Sequence, residues 1–137
     1  MDTSRREAAA LVPFYKKDDV CYFFLQLRDE GAPTDPGRIG FFGGGIEGEE
    51  TPLEAVTRET KEELAIDITP FFFKTYSGLE RTSYVFLLEV PERFKDSVSI
   101  LEGEDGFFLS EEEANTNPKV IELERTILKE VSVFLKN

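Results

Sequence analysis

At 137 residues, with 40% hydrophobic and 32% charged side chains, the chain has the length and composition of one folded domain, which excludes wholesale disorder. A net charge of −12 excludes docking on duplex nucleic acid or an anionic membrane by charge alone. It leaves room for an anionic small molecule bridged to the protein by divalent cations. The one cysteine, Cys21, lies in an apolar run of a chain that has no histidine to activate it, so it reads as a core residue. The apolar runs Val20 to Leu25 and Tyr84 to Leu88 are too short to cross a bilayer, and no cleavage site follows Ala8 to Phe14, so a cytoplasmic protein is expected.

In chain order, Ala8 to Tyr15 and Val20 to Leu27 are apolar and aromatic and flank Lys16-Lys17-Asp18-Asp19, which predicts a β-hairpin. Two prolines and two glycines make the stretch from Asp29 to Gly37 a loop. Ile39 to Phe42 is a short strand ending in Gly43-Gly44-Gly45. Thr51-Pro52-Leu53-Glu54 then offers an N-cap, proline at the first helical position and a capping-box glutamate. The helix runs to about Leu64, with Leu53, Val56, Thr60 and Leu64 as its apolar stripe, and Ile66 to Thr69 is extended. Phe71 to Tyr76 and Thr82 to Val90 are predicted as paired strands. A short strand at Phe107 to Leu109 leads into a brief helix capped by Ser110. Pro118 to Leu135 reads as an amphipathic helix with Ile121, Leu128, Val131 and Leu135 inward and Glu124 and Lys129 turned away. Strands interleaved with helices at two places predict a sheet covered on both faces.

The chemistry is concentrated on the Thr51-capped helix. Glu59, Glu62 and Glu63 stand at i, i+3 and i+4, so at about 100° per residue they share one flank. Like charges at that spacing repel by a few tenths of a kcal/mol per pair, a cost that a divalent cation removes because it takes such hard oxygen ligands. Arg58 lies eight residues after Glu50, which allows an arginine–carboxylate brace between loop and helix. Glu-rich helical faces are also common as solvated surface, so acidity alone would not assign a metal site.

The whole spacing is more specific. It reads Gly44, five residues, Glu50, seven residues, then Arg58-Glu59-Thr60-Lys61-Glu62-Glu63-Leu64-Ala65-Ile66, and it resembles the Nudix box of the Nudix hydrolases. Gly44, Glu50, Arg58, Glu59, Glu62 and Glu63 all match. Thr60 stands where a bulky aliphatic is usual and Ala65 replaces a customary glycine, so the helix exit is expected to resist a left-handed backbone. Phe41-Phe42-Gly43-Gly44 stands where an aromatic, proline and two glycines are frequent.

The resemblance implies a single domain over residues 1–137, an α/β/α sandwich with a mixed β-sheet. It implies a pyrophosphohydrolase that cleaves a phosphoanhydride in a nucleoside diphosphate derivative or a nucleoside triphosphate, as a monomer or homodimer. Glu59, Glu62, Glu63 and the Gly43 carbonyl are the implied ligands of Mg²⁺ or Mn²⁺. Glu59 is the first candidate for the base, and Arg58 and Glu50 are the implied supporting pair. A further carboxylate is expected from Glu102, Glu104 or Asp105, with Glu104 preferred. Phe41, Tyr84 and Phe108 are candidates to stack on a base and Arg28 to contact phosphate, although aromatic residues in strands are more often core. The alternative is a non-catalytic Nudix-fold module that binds a nucleotide, and a purely structural acidic domain is the third reading.

Overall fold

The computed structural model describes residues 6–33, 35–78, 81–102 and 105–137. The predicted hairpin is β1 (Arg6–Lys17) and β2 (Val20–Leu27), with Lys17 opposite Val20. Asp18 and Asp19 make the turn alone, both at positive φ (53° and 65°). That is the backbone which matches the strand twist in a two-residue connection, and aspartate tolerates it better than most residues.

The short strand expected over Ile39 to Phe42 is two strands, β3 (Ile39–Gly40) and β4 (Phe42–Gly45). β3 pairs with β2, whereas β4 pairs antiparallel with the first half of β1. The change of partner falls on Phe41, whose backbone N–H leaves the ladder and donates to the Glu124 carboxylate (2.8 Å). On the other side of β1 lies β6 (Arg81–Glu89), parallel to it, with β5 (Phe71–Ser77) antiparallel at the sheet edge. β7 (Asp105–Ser110) adds to β2. Among the described residues the sheet is therefore mixed and seven-stranded.

Helix α1 (Pro52–Leu64) starts as predicted. Thr51 Oγ1 accepts from Glu54 N–H (3.1 Å), and the Glu54 carboxylate accepts from Thr51 N–H (2.9 Å). Its buried face is Ala55, Val56, Thr60, Glu63 and Leu64, while Leu53 is 48% exposed and does not belong to the stripe. Ala55 and Val56 pack on Ala9, Leu11 and Phe86 from one face of the sheet. On the other face, α2 (Glu111–Thr116) and α3 (Glu122–Lys136) bury Ala114, Ile127, Leu128 and Val131 against Val12, Phe14, Cys21, Phe23 and Leu25. The result is the α/β/α sandwich, with Cys21 free and fully buried in it. No helix among the described residues is long and apolar enough to cross a membrane.

Two expectations about helix ends are corrected. α3 begins at Glu122 and not at Pro118. The residues before it are tied to β3 instead, because Ile39 N–H donates to Lys119 O and Ile121 N–H to Ile39 O. Glu124, expected to face water, turns inward over Gly40 and Phe41. At the exit of α1, Ala65 adopts the left-handed conformation (φ 61°, ψ 32°) and donates to Lys61 O, so the turn imposes the geometry that glycine holds without strain. Ala65→Gly should therefore raise stability by about 0.5–1 kcal/mol, after the entropy that glycine adds to the unfolded chain. A denaturant midpoint that falls would refute this reading of the turn.

Candidate active site

Arg58 organises the loop–helix segment. Its Nε and Nη2 grip Glu50 at 2.7 and 3.1 Å, and Nη2 also donates to Gly45 O (3.0 Å). Nη1 reaches Glu59 (3.0 Å) and Glu62 (3.4 Å). The bond to Glu50 is the main reason the guanidinium is held even more firmly protonated than usual, and it lowers the Glu50 pKa. A planar fork of donors suits this bidentate role, which lysine could not copy. The loop carrying Gly45 and Glu50 is thereby fixed to the flank of α1 that carries the carboxylates.

Glu59 lies against the backbone of β4. A Cβ at Gly44 would stand 2.5 Å from the Glu59 carboxyl carbon, so the glycine makes the room in which this side chain rests. Burial, opposed by Arg58, raises the Glu59 pKa, and Glu62 and Glu102 add to the rise. Glu63 is only 5% exposed and accepts from Gly43 N–H (2.9 Å). Burial drives its pKa up to about 8 against that hydrogen bond, and the charges of Glu59 and Glu102 push the same way. Among the described residues no cationic side chain forms an ion pair with it.

Glu102 acts on both Glu59 and Glu63 because the chain before it runs along the end of α1. Ser99 N–H donates to Leu64 O and Leu101 N–H to Glu63 O. Asp105 is engaged elsewhere, with Lys95 (3.3 Å) and Gly106 N–H, and Glu104 lies outside the described residues. Of the three carboxylates expected there, Glu102 is placed near the helix by the path of residues 99–101 across its end.

Hard carboxylate oxygens, one of them buried and in no ion pair among the described residues, make a donor set that suits a divalent ion. Their present positions are those of arginine-braced side chains, and among the described residues no three ligand-type side chains converge as a ready cage. Beside them is a cavity of about 230 Å³, lined by Gly43, Gly44 and Gly45, by Phe41 and Arg28, and by Arg81 and Glu124 among others. The structure thus brings Gly43, Phe41 and Arg28 to one opening, next to Glu59 and Glu63.

Tyr84 and Phe108 are not among its lining residues. Residues alternate across a strand, and on β6 it is Ser83 that takes the cavity side. Tyr84 instead packs over the α1 side of the sheet, with its hydroxyl donating to Glu7 (3.3 Å). Phe108 lies edge-on to Tyr15 and Phe24, with ring centres 4.8 and 5.0 Å apart, so it is part of an aromatic cluster.

A mixed sheet between helices, with an arginine-braced carboxylate helix packed on glycines that line a cavity, describes a small α/β domain. The NUDIX domain model matches residues 4–131, and the chain belongs to the Nudix family, whose hydrolases act on phosphoanhydrides. Solved structures share the fold. The MutT protein of Methanosarcina mazei Go1 superposes with a TM-score of 0.74 at 18% identity, covering 100% of this chain and 99% of that one. The NUDIX domain of Shewanella oneidensis NrtR, complexed with ADP ribose, gives 0.78 at 14% identity, covering 98% and 90%. A MutT/nudix family protein of Enterococcus faecalis gives 0.66 at 16% identity over 80% of this chain, which spans 45% of that longer chain. A search of curated protein sequences finds no match.

Proposed function

We propose that this protein is a divalent-cation-dependent pyrophosphohydrolase acting on a nucleoside diphosphate derivative, with nucleoside triphosphates the first substrates to test. The observation that carries the reading is the packing of Glu59 and Glu63 against the backbone of Gly43 and Gly44, which line the cavity. Glu59, Glu62 and Glu63 would hold Mg²⁺ or Mn²⁺, with the Gly43 carbonyl beside them and a further carboxylate from Glu102 or Glu104. When bound, the ion neutralises phosphate oxygens as a Lewis acid. Glu59 takes a proton from the attacking water, whose oxygen forms the new P–O bond as the anhydride P–O bond breaks. Its raised pKa favours a proton acceptor. Arg58 and Glu50 position the helix and do not touch the reacting atoms.

The test is a panel of nucleoside triphosphates, nucleotide sugars and dinucleotides with Mg²⁺ or Mn²⁺, scored by product identity. The expected result is a nucleoside monophosphate with pyrophosphate, or two monophosphates, abolished by a chelator. No product from any member would overturn the reading. The second reading is a nucleotide-binding module without turnover. Tight calorimetric binding together with an empty product panel would select it.

A further inference from the structure

We propose that Gln26 is a positioning residue for the carboxylate site. Its buried side-chain amide, near the end of β2, pins the main chain at Glu102 so that the Glu102 carboxylate is held beside Glu59 and Glu63 in the donor set for the cation. The role toward the cation rests on the pyrophosphohydrolase reading; the pinning of Glu102 does not.

Gln26 stands out within its strand. Every other side chain of β2, from Val20 to Leu27, is apolar or aromatic, yet Gln26 is just 5% exposed. Burying a primary amide disfavours folding unless its polar atoms find partners, so packing alone does not account for glutamine here. Across the ladder it stands opposite Gly40 of β3 and Gly106 of β7, and neither glycine brings a side chain over it. With that room Nε2 donates to Glu102 O at 3.3 Å, 76 residues away along the chain.

The surroundings of that bond show what it holds. Ser99 N–H donates to Leu64 O and Leu101 N–H to Glu63 O, which clips this segment to the end of α1. Between them Ile100 packs on the cluster of Phe24, Phe42 and Leu64. Burial then stops, since Leu101 is 58% exposed and Glu102 is exposed as well. Side-chain packing therefore does not place the residue that carries the carboxylate, and hydrogen bonds to the backbone do. The bonds at Leu101 N–H and Glu102 O bracket the two residues, one made to Glu63 and the other to β2. Held there, the charge of Glu102 acts on both Glu59 and Glu63. A group that orients a ligand without touching the ion is worth about 10–100-fold in metal affinity.

The experiment is a double-mutant cycle of Gln26→Met and Glu102→Gln in the full chain. It is read by calorimetric titration with Mn²⁺ and Mg²⁺, and by hydrogen exchange of the Leu101 amide in the metal-free protein. Methionine is unbranched like glutamine and suits a buried site, but it cannot donate. The Glu102 carbonyl, on an exposed residue, turns to water, and a thermal melt checks that the variant folds. In Gln26→Met the Leu101 amide should exchange at least about tenfold faster, and the cation should bind about tenfold more weakly. Glu102→Gln, on the surface, tests the carboxylate end independently; it should weaken the cation similarly and leave Leu101 protected. The double variant should bind the cation no worse than the weaker single variant, because both changes remove one interaction. In turnover assays, raised Mg²⁺ should restore most of the kcat of Gln26→Met. Unchanged exchange at Leu101, unchanged cation affinity in either single variant, or additive losses in the double would overturn the inference and leave the hydrolase reading standing. Faster exchange in Gln26→Met from a wild type that binds no cation would sink the hydrolase reading and uphold the pin on Glu102.

Discussion

Glu63→Gln is expected to reduce kcat by about 10³-fold, the range found when one charged element of such a site is removed, without weakening the metal-free fold. Glutamine keeps an acceptor for Gly43 N–H, the hydrogen bond that the Glu63 side chain accepts, and it removes a charge that burial opposes. The pH dependence follows in sign. In the unfolded chain Glu63 ionises around 4.5, whereas in the folded protein it holds its proton up to about 8. Its contribution to stability is therefore complete below pH 4.5 and is lost progressively as pH rises to 8. In the presence of a chelator, melting curves of wild type and Glu63→Gln should agree at pH 4.5 and separate by pH 8, with the variant the more stable. Added Mg²⁺ should reverse the order by stabilising wild type alone. A variant that melts lower than wild type at pH 8 without metal would mean that Glu63 is a structural carboxylate and not a site kept charged for a cation.

Much of this was legible in the sequence because the signals are local. The Thr51 and Ser110 capping boxes fix the starts of α1 and α2, the Asp18-Asp19 turn fixes the hairpin, and the spacing of Arg58 from Glu50 predicts their ion pair. What was not legible depends on chain segments far apart in sequence. The start of α3 shifts because Ile39 captures the backbone of residues 119–121. Glu124 faces the cavity because Phe41 gives up its place in the ladder, which helical periodicity alone cannot register. Glu102 was among the candidates, but that its charge acts on Glu59 and Glu63 depends on residues 99–101 crossing the end of α1. Thr60 is likewise buried as expected for the stripe, yet its hydroxyl finds no partner among the described residues. In each case burial or backbone pairing, and not local propensity, decides where the side chain goes.

The adjacent glycines of β4 should separate folding from chemistry. Gly43 has φ 128°, and a Cβ there would be driven into the Ala9 carbonyl oxygen and would lie 2.8 Å from Ala10 Cα. Both obstacles are backbone of the central strand β1, which cannot yield without breaking the β1–β4 pairing. Gly43→Ala should therefore cost about 3–5 kcal/mol and lower the denaturant midpoint severely. At Gly44 the obstacle is the Glu59 carboxylate, the mobile end of a side chain, and φ is unremarkable. Gly44→Ala should leave the melting temperature within a few degrees of wild type, because Glu59 can swing aside. That movement carries the proposed base away from the Gly44 backbone, and a displacement of about 1 Å is enough to cost on the order of 10²-fold in turnover. The order of effects is the test. If Gly44→Ala were as destabilising as Gly43→Ala, or if it folded and retained full kcat, the position of Glu59 against this backbone would not be what the reaction requires.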